Sequence, residues 1–125
     1  MTTSTDSTVV LHHAPAAQLG AKTPKPTSLT GDVQEALLQI WSSTIVDAQA
    51  GVWDASEGSF AAERDGYDEI CYITAGQVTV VPENGEPVEL TTGDVLVTPC
   101  GWRGVWHVHK DVRKVYVIVR KPAIT

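Results

Sequence analysis

Three side chains in the second half of the sequence have the types needed for acid–base chemistry: a glutamate, a lysine and a tyrosine. Glu69 opens a β-forming run, and Lys114 and Tyr116 lie two residues apart in another, so the latter two share one face of a strand. Burial raises the pKa of a carboxyl group unless a cation lies near, and Lys114 is the candidate cation. A Glu69–Lys114 pair in a closed pocket could act as general base and electrostatic anchor for an anionic or amide substrate. It could equally be a structural ion pair.

The direction of the last strand is open from alternation alone. Lys114 and Tyr116 share a face with Val112 and Ile118, and the opposite face carries a valine-rich set. If the valine-rich face points inward, Lys114 and Tyr116 are surface residues.

Aromatic and polar neighbours give a set of candidate ligand contacts. The chain has four tryptophans among eight aromatic residues, and at least two of them are expected to fill the core. Arg103 could bind a carboxylate with two hydrogen bonds. Cys71 shares a face with Glu69, although a cysteine inside a strand is most often a small buried hydrophobe. The expected ligand-binding residues are Trp106, as a pocket wall, with Trp53, Trp102, Arg103 and Cys71.

The histidines are poor candidates for a metal site. His107 and His109 share a strand face, but counting from Gly104 places both on the outside. His12 and His13 lie in a proline-rich segment and are weaker still.

Composition limits the class of protein. The chain has 125 residues, which is enough for one domain, and a formal charge of −6, which argues against nucleic acid and anionic membranes as partners. No apolar run approaches the roughly 20 residues of a membrane span, and no signal peptide is predicted. The two cysteines form no disulfide framework. A cytoplasmic location is therefore expected.

From residue 51 onward, short β-forming runs alternate with turn residues, which predicts an all-β fold. Upstream, a short strand is predicted at Val9–Leu11 and another at about Leu37–Ser43, with a helix over Val33–Ile40 as the alternative. The prolines between residues 15 and 26 should interrupt regular structure. The strands predicted downstream are 52–55, 69–74, 77–81, 88–90, 95–98, 102–109 and 112–120.

Two motifs narrow the fold class. Glu69 is followed after six residues by Gly76, and Gly93-Asp94 is followed by Pro99-Cys-Gly101. Together they resemble the two motifs of the cupin superfamily, and about residues 51–120 resemble the small single-domain cupins that include ureidoglycine aminohydrolase-like and ethanolamine-utilisation protein Q-like proteins. The resemblance implies a single-domain jelly-roll barrel with a pocket at one end, and it favours Lys114 and Tyr116 as inward-facing.

The sequence departs from this resemblance at the metal ligands. In metal-dependent cupins, a His-x-His precedes the glutamate, and the second motif adds another histidine. Here the two histidine positions of the first motif hold Ala62 and Arg64, or Glu63 and Asp65 if the gap before Glu69 is three residues instead of four. The histidine position of the second motif holds Gly104, so Glu69 is the only usual ligand retained. No cofactor is expected, with an atypical divalent metal on Glu63, Asp65 and Glu69 as the alternative. Gly104 could leave a ligand the space that a metal fills elsewhere.

The sequence therefore favours an enzyme that acts on a small nitrogenous or carboxylated metabolite, with Glu69, Lys114 and Tyr116 as catalytic residues. A non-catalytic sensory cupin and a structural dimer subunit with a vestigial pocket are the alternatives. Residues 1–30 are expected to form an irregular leader that includes a dimer-contact strand, and residues 31–125 the barrel. A homodimer is expected because an open jelly roll has edges to cover.

Overall fold

The described residues of the computed structural model, 7–120, form an all-β fold with nine strands and one short 3-10 helix. The outer ends of the predicted leader and barrel, residues 1–6 and 121–125, lie outside the described residues. After the 3-10 helix at Ala14–Ala16, the strands are β1 Thr23–Pro24, β2 Ser28–Thr30, β3 Gln34–Ser42, β4 Ala48–Ala55, β5 Gly58–Glu63, β6 Tyr67–Pro82, β7 Val88–Thr91, β8 Val95–Thr98 and β9 Arg103–Arg120.

Two long strands, β6 and β9, pair with each other along most of their length and run through both layers of the barrel. In one layer, the early part of β6 also pairs with β8, and the late part of β9 pairs with β4. Strand β4 in turn pairs with β3, and β3 pairs with β1; we call this layer the large sheet. The late part of β6 pairs with β7, and the early part of β9 with β5 and then β2; this layer is the small sheet. All pairs are antiparallel, which gives the predicted jelly-roll barrel.

The predicted breaks within these two long strands are wrong. Ala75-Gly76 and Lys110-Asp111 were expected to separate strands, but β6 and β9 continue through both points. The β6–β9 register instead shifts between Ile73 and Val78. Such bulges let a strand bend from one sheet to the other without ending its pairing.

Gly76 allows this bend, and replacing it by alanine gives a testable prediction. Its φ is +99°, and a Cβ there would lie 2.7 Å from the Val112 Cα and overlap the Asp111 carbonyl oxygen. Gly93 has nearly the same φ, +100°, with nothing within 4 Å of a built Cβ. Gly76→Ala should therefore lower the free energy of unfolding by about 1–3 kcal/mol more than Gly93→Ala, because only position 76 adds a clash to the backbone strain. Equal losses in urea unfolding would contradict the close approach.

The first third of the chain differs from its prediction in three ways. Val9–Leu11 form no strand; the leader is held instead by the Arg113 guanidinium, which donates hydrogen bonds to the carbonyl oxygens of Ala14, Pro15 and Ala17 at 2.7–3.1 Å. The helical alternative at 33–40 is wrong, since β3 begins at Gln34. The proline-bearing segments also contain regular structure, namely the 3-10 helix and β1.

Strand β5 was not predicted at all. Its Ala61-Ala62 pair has low β-propensity, yet Gly58–Glu63 pairs with residues 103–108 of β9. Tertiary pairing therefore outweighs local preference here.

The core between the two sheets is rich in aromatic side chains. Trp106 is fully buried and stacks on Phe60, while Trp53 meets both rings edge-on, with centroids 5.8–6.1 Å apart. Such edge and offset geometries add to the free energy gained by burial. Among residues 7–120, no helix is long and apolar enough to cross a membrane.

Candidate functional site

A buried ion cluster lies between the two sheets. Glu69 Oε1 accepts a hydrogen bond of 2.7 Å from Lys114 Nζ and one of 3.1 Å from an Arg64 Nη2. The three side chains are only 6–8% exposed. Arg64 Nε also donates to Thr98 Oγ1 at 2.9 Å, which fixes the plane of the guanidinium. Both cations bind the same oxygen, so Glu69 Oε2 has no hydrogen-bond partner among the described residues.

Strand alternation and register bring the lysine and the glutamate together. Lys114 on β9 lies opposite Ile73 of β6 and Trp53 of β4, and Glu69 lies four residues before Ile73 in β6, opposite Ile118. The face of β9 that carries Lys114 and Tyr116 points inward, whereas the valine-rich face points outward, so the orientation favoured by the resemblance is observed.

Arg64 reaches the cluster from the loop between β5 and β6. Its backbone N–H donates to the Trp102 carbonyl oxygen, and its own carbonyl accepts from Gly101 N–H, both at 2.8 Å. These bonds tie the loop to the turn before β9 and direct the side chain of Arg64 inward.

The cluster determines the charge state of Glu69. Burial by itself raises the pKa of the carboxyl group, but the charges of Lys114 and Arg64 and their hydrogen bonds outweigh it, so the pKa lies below the ordinary value of 4.5. Glu69 is therefore a carboxylate at neutral pH. One carboxylate against two cations leaves a formal charge of +1 in the cluster.

Aromatic rings surround the lysine. Lys114 Nζ lies 4.6 Å from the ring centroids of both Trp53 and Trp106. Cation–π attraction at this distance stabilises an ammonium group that burial would otherwise disfavour.

A cavity of about 290 Å³ opens beside the cluster, at the lower end of the range for small-molecule pockets. Its lining includes Lys25, whose Nζ donates to Glu35 Oε1 at 3.0 Å and lies 4.7 Å from the Phe60 ring centroid. Glu35 also accepts a hydrogen bond of 2.9 Å from Trp53 Nε1, which orients the indole as a wall. The lining consists of Lys25, Thr27, Leu37, Gln49, Trp53, Phe60, Ala61, Ala62, Glu63, Arg64, Tyr67, Glu69, Lys114, Tyr116 and Ile118.

Tyr116 carries a buried hydroxyl that no other described residue satisfies. The residue is 2% exposed and lines the cavity, yet its hydroxyl has no hydrogen-bond partner within residues 7–120. Gly51, its partner on β4, makes room for the ring, because a Cβ there would lie 2.6 Å from the hydroxyl oxygen. Burial, followed by the negative charge of Glu69, raises the pKa of Tyr116 above 10.0, so the phenol is protonated and can donate to a ligand.

Replacing Tyr116 by phenylalanine should therefore stabilise the ligand-free protein. The change removes a buried hydroxyl that makes no hydrogen bond in the described part of the chain, and its desolvation cost of about 1–3 kcal/mol is relieved in part. We expect the free energy of unfolding in urea to rise by about 1 kcal/mol. A decrease of similar size would show that the hydroxyl is bonded in the folded protein.

Of the residues predicted to bind a ligand, only some lie at the cavity. Trp53 lines the cavity, but Trp106 is fully buried behind it and is not a cavity wall. Cys71 is buried in the core away from the cavity lining, and burial raises the pKa of its thiol, which keeps it protonated and unreactive. Arg103 lies outside, 63% exposed, and pairs with Glu63 at 2.7 Å.

The prediction that Gly104 leaves space for a ligand is wrong, because the Trp102 side chain occupies that space. A Cβ at Gly104 would lie 2.7 Å from the Trp102 indole, so this ring fills the position where a ligand was expected. The indole also stands 5.7 Å from the Arg64 guanidinium and shields it from solvent on that side.

Two of the cationic cavity residues, Arg64 and Lys25, were not predicted as part of the site. Glu63-Arg-Asp-Gly66 has the composition of a solvated loop, and only the position of Arg64 at a usual metal-ligand site distinguished it. Lys25 lies between two prolines and gives no sequence signal of a cavity.

The residues present do not fit the metal ion that the wider fold class implies. Glu69, the only usual ligand retained, already holds two cations whose charge would repel a third. Glu63 pairs with Arg103, and Asp65 is exposed, so the carboxylate trio does not converge. Within residues 7–120, no three His, Cys, Asp or Glu side chains are grouped to hold a metal.

The paired histidines lie away from the cavity, as predicted. His109 is exposed on the outside of the small sheet and His107 is partly buried there. A ring nitrogen of His107 bonds Ser59 Oγ at 2.8 Å, and one of His109 bonds Thr79 Oγ1 at 2.7 Å.

An antiparallel jelly-roll barrel with a cavity beside the first-motif glutamate defines a cupin. The model of the EutQ-like cupin domain matches residues 46–116, more than half of the chain, so this protein belongs to the EutQ-like cupin family.

Solved structures share the fold. The Clostridium difficile EutQ protein is 20% identical with a TM-score of 0.61; the match covers 70% of this chain but only 64% of that one. An ethanolamine utilization protein Q from Salmonella typhimurium is 23% identical with a TM-score of 0.62, covering 81% and 80%. A DUF861-family protein of unknown function from Pseudomonas syringae is 24% identical with a TM-score of 0.68, covering 81% and 45%. Among curated proteins, no sequence matches significantly.

Proposed function

We propose that this protein binds a small anionic or amide-bearing metabolite in the cavity and acts on it by acid–base chemistry that needs no metal ion. One observation carries the proposal: a buried cluster with an excess of one positive charge borders a cavity that is also lined by Tyr116, whose buried hydroxyl has no hydrogen-bond partner among residues 7–120. Positive charge in a water-poor site stabilises a bound anion or a developing oxyanion far more strongly than it would in water.

The cluster and the neighbouring tyrosine support distinct roles for four side chains. The Lys114 ammonium and the Tyr116 hydroxyl are donors for an oxygen of the substrate. Glu69 is ionised, so it serves as a base or acceptor through its free oxygen Oε2 and not as an acid. Arg64 holds Glu69 in place and is a positioning residue.

Matched pairs of ligands test the binding part of this proposal. Acetate and acetamide, propionate and propionamide, and succinate and succinamide differ mainly in charge. We expect the carboxylates to raise the midpoint of thermal unfolding more than their amides, and native mass spectrometry of freshly purified protein to show a retained small anion. Equal binding of both members of each pair would rule out recognition by charge.

A second candidate function is non-catalytic ligand binding, for instance as a sensor. It is favoured by the sharing of one carboxylate oxygen between two cations, because such a closed cluster can be purely structural. Proton NMR of each carboxylate and amide incubated with the protein separates the two functions. If one of these compounds is turned over, and Tyr116→Phe abolishes turnover but not binding, the protein is an enzyme. If compounds bind but none is turned over, the protein is a non-catalytic binder.

A cytoplasmic location is part of the same proposal. Cys71 and Cys100 are both free thiols, as expected in a reducing compartment.

A further inference from the structure

The cavity is lined by a second ammonium group besides that of Lys114, carried by Lys25 in the segment between β1 and β2. The backbone N–H of Lys25 donates to the Val33 carbonyl oxygen at 2.8 Å, and its own carbonyl accepts from Ser28 N–H at 3.0 Å. Prolines at positions 24 and 26 restrict the backbone on both sides. The fold therefore fixes the place from which this side chain enters the cavity.

The ammonium group of Lys25 is held in place but keeps protons for a ligand. Its Nζ donates to Glu35 Oε1 at 3.0 Å and lies 4.7 Å from the Phe60 ring centroid. An ammonium group has three protons to donate, and within residues 7–120 Glu35 is the only acceptor for them. Because the Lys25 side chain is only 18% exposed, a ligand in the cavity can accept one of the remaining protons in a partly desolvated setting.

The distance between the two ammonium groups limits the length of a ligand that bridges them. The nitrogens of Lys25 and Lys114 lie 5.5 and 4.6 Å from the centroid of the same indole ring, that of Trp53. The two nitrogens are therefore no more than about 10 Å apart. A hydrogen bond of about 2.8 Å at each end leaves about 4 Å or less between the two acceptor oxygens of a ligand lying between them, which is the span of about three carbon atoms.

The two ends of the cavity differ in charge. The cluster around Lys114 has an excess of one positive charge, which suits a carboxylate. Lys25 is instead neutralised by Glu35, which pairs with it at 3.0 Å and is not among the residues that line the cavity. A second carboxylate at Lys25 would be repelled by Glu35, whereas a hydroxyl oxygen can accept the hydrogen bond without that repulsion. The end of the ligand at Lys25 is therefore uncharged.

We infer that Lys25 determines specificity by donating to a hydroxyl group, so that the preferred ligands are short hydroxy acids whose carboxylate lies at Lys114 and Tyr116. This specificity rests on the proposed function, since that proposal places the anion at Lys114. The rings of Trp53 and Phe60 line the same cavity and would pack against the methylene groups that join the two ends of the ligand.

Isothermal titration with 3-hydroxypropionate, butyrate and malonate tests this specificity. Butyrate has a methyl group in place of the terminal hydroxyl, and malonate has a second carboxylate at that end. We expect 3-hydroxypropionate to bind about tenfold or more tightly than butyrate, because it alone accepts a hydrogen bond from Lys25 without meeting the charge of Glu35. Malonate should bind no more tightly than 3-hydroxypropionate.

Replacing Lys25 by methionine removes the donor and should bring the affinities for 3-hydroxypropionate and butyrate close to each other, with the affinity for butyrate unchanged. Lys22→Met is the matched control, because Lys22 is exposed three residues upstream and does not line the cavity, so the preference should persist. Lys25→Arg retains a donor and should keep most of the preference, which separates loss of the hydrogen bond from disturbance of the segment.

The outcomes distinguish this inference from the proposed function. Equal affinities for 3-hydroxypropionate and butyrate in the parent protein would overturn the inference alone, as would a preference that survives in Lys25→Met or malonate as the tightest ligand. If none of the three acids binds, the proposed anion site is itself wrong and the hydroxy-acid specificity is overturned with it.

Discussion

Replacing Glu69 by glutamine is expected to lower the free energy of unfolding by about 3–5 kcal/mol. The substitution keeps the size of the side chain but removes the negative charge that Lys114 and Arg64 share at 2.7 and 3.1 Å. Two cations with side chains no more than 8% exposed would then face each other without a counter-ion. Urea unfolding at neutral pH measures the loss.

Glu63→Gln is the matched control. Glu63 also pairs with an arginine at 2.7 Å, but both partners are more than half exposed, so its loss should cost only about 0–1 kcal/mol. Similar losses of unfolding free energy in Glu69→Gln and Glu63→Gln would show that burial does not strengthen the Glu69 cluster.

The lowered pKa of Glu69 also predicts how the stability difference between the parent protein and Glu69→Gln depends on pH. A carboxyl group whose pKa falls on folding stabilises the protein above its unfolded pKa, near 4.5, and this stability is lost as the pH falls through the folded pKa. The gap between the parent protein and Glu69→Gln should therefore narrow below about pH 4.5 and be constant above it. If the stability difference between the two proteins instead widens as the pH falls, the pKa of Glu69 is raised in the folded protein, which would contradict the account.

Replacing Lys114 by methionine should have the largest effect on ligand binding. Methionine retains much of the apolar stem between the Trp53 and Trp106 rings but removes the ammonium group, and with it the excess positive charge beside the cavity. Affinity for carboxylates should fall about 100-fold, since truncating one partner of a buried charged contact costs 2–5 kcal/mol. Affinity for the matching amides should change far less.

Arg103→Met controls for the loss of any one positive charge, because Arg103 lies outside the cavity. Isothermal titration with the carboxylate that binds the parent protein most tightly gives the comparison. An equal loss in both variants would mean that long-range charge, and not contact with Lys114, attracts the anion.

The barrel could be predicted from the sequence because its signals are local. Turn residues such as Asn84-Gly85 and Gly93-Asp94 separate β-forming runs, and the two motifs resemble those of the cupin superfamily, which implies the barrel. What local signals cannot show is long-range pairing. Strand β5 depends on its partner β9 rather than on its alanines, and β6 and β9 continue through positions that look like turns.

The site was predictable to the extent that strand alternation governs it. Glu69, Lys114 and Tyr116 follow from parity and resemblance, whereas Arg64 does not, because a loop residue has no periodicity. Its inward direction comes from backbone hydrogen bonds to Gly101 and Trp102, nearly forty residues away along the chain. The exposure of Arg103 and the filling of the space at Gly104 depend on the same turn.

A carbon-13 NMR titration of the glutamate side-chain carboxyls tests most directly whether Glu69 is a carboxylate held by two buried cations. The resonance of Glu69 is assigned as the one missing from Glu69→Gln. A midpoint below the ordinary value of 4.5 is expected, rising in Lys114→Met because one of the two cations is lost. A midpoint at or above 4.5 in the parent protein would contradict the ionised cluster and the anion site built on it.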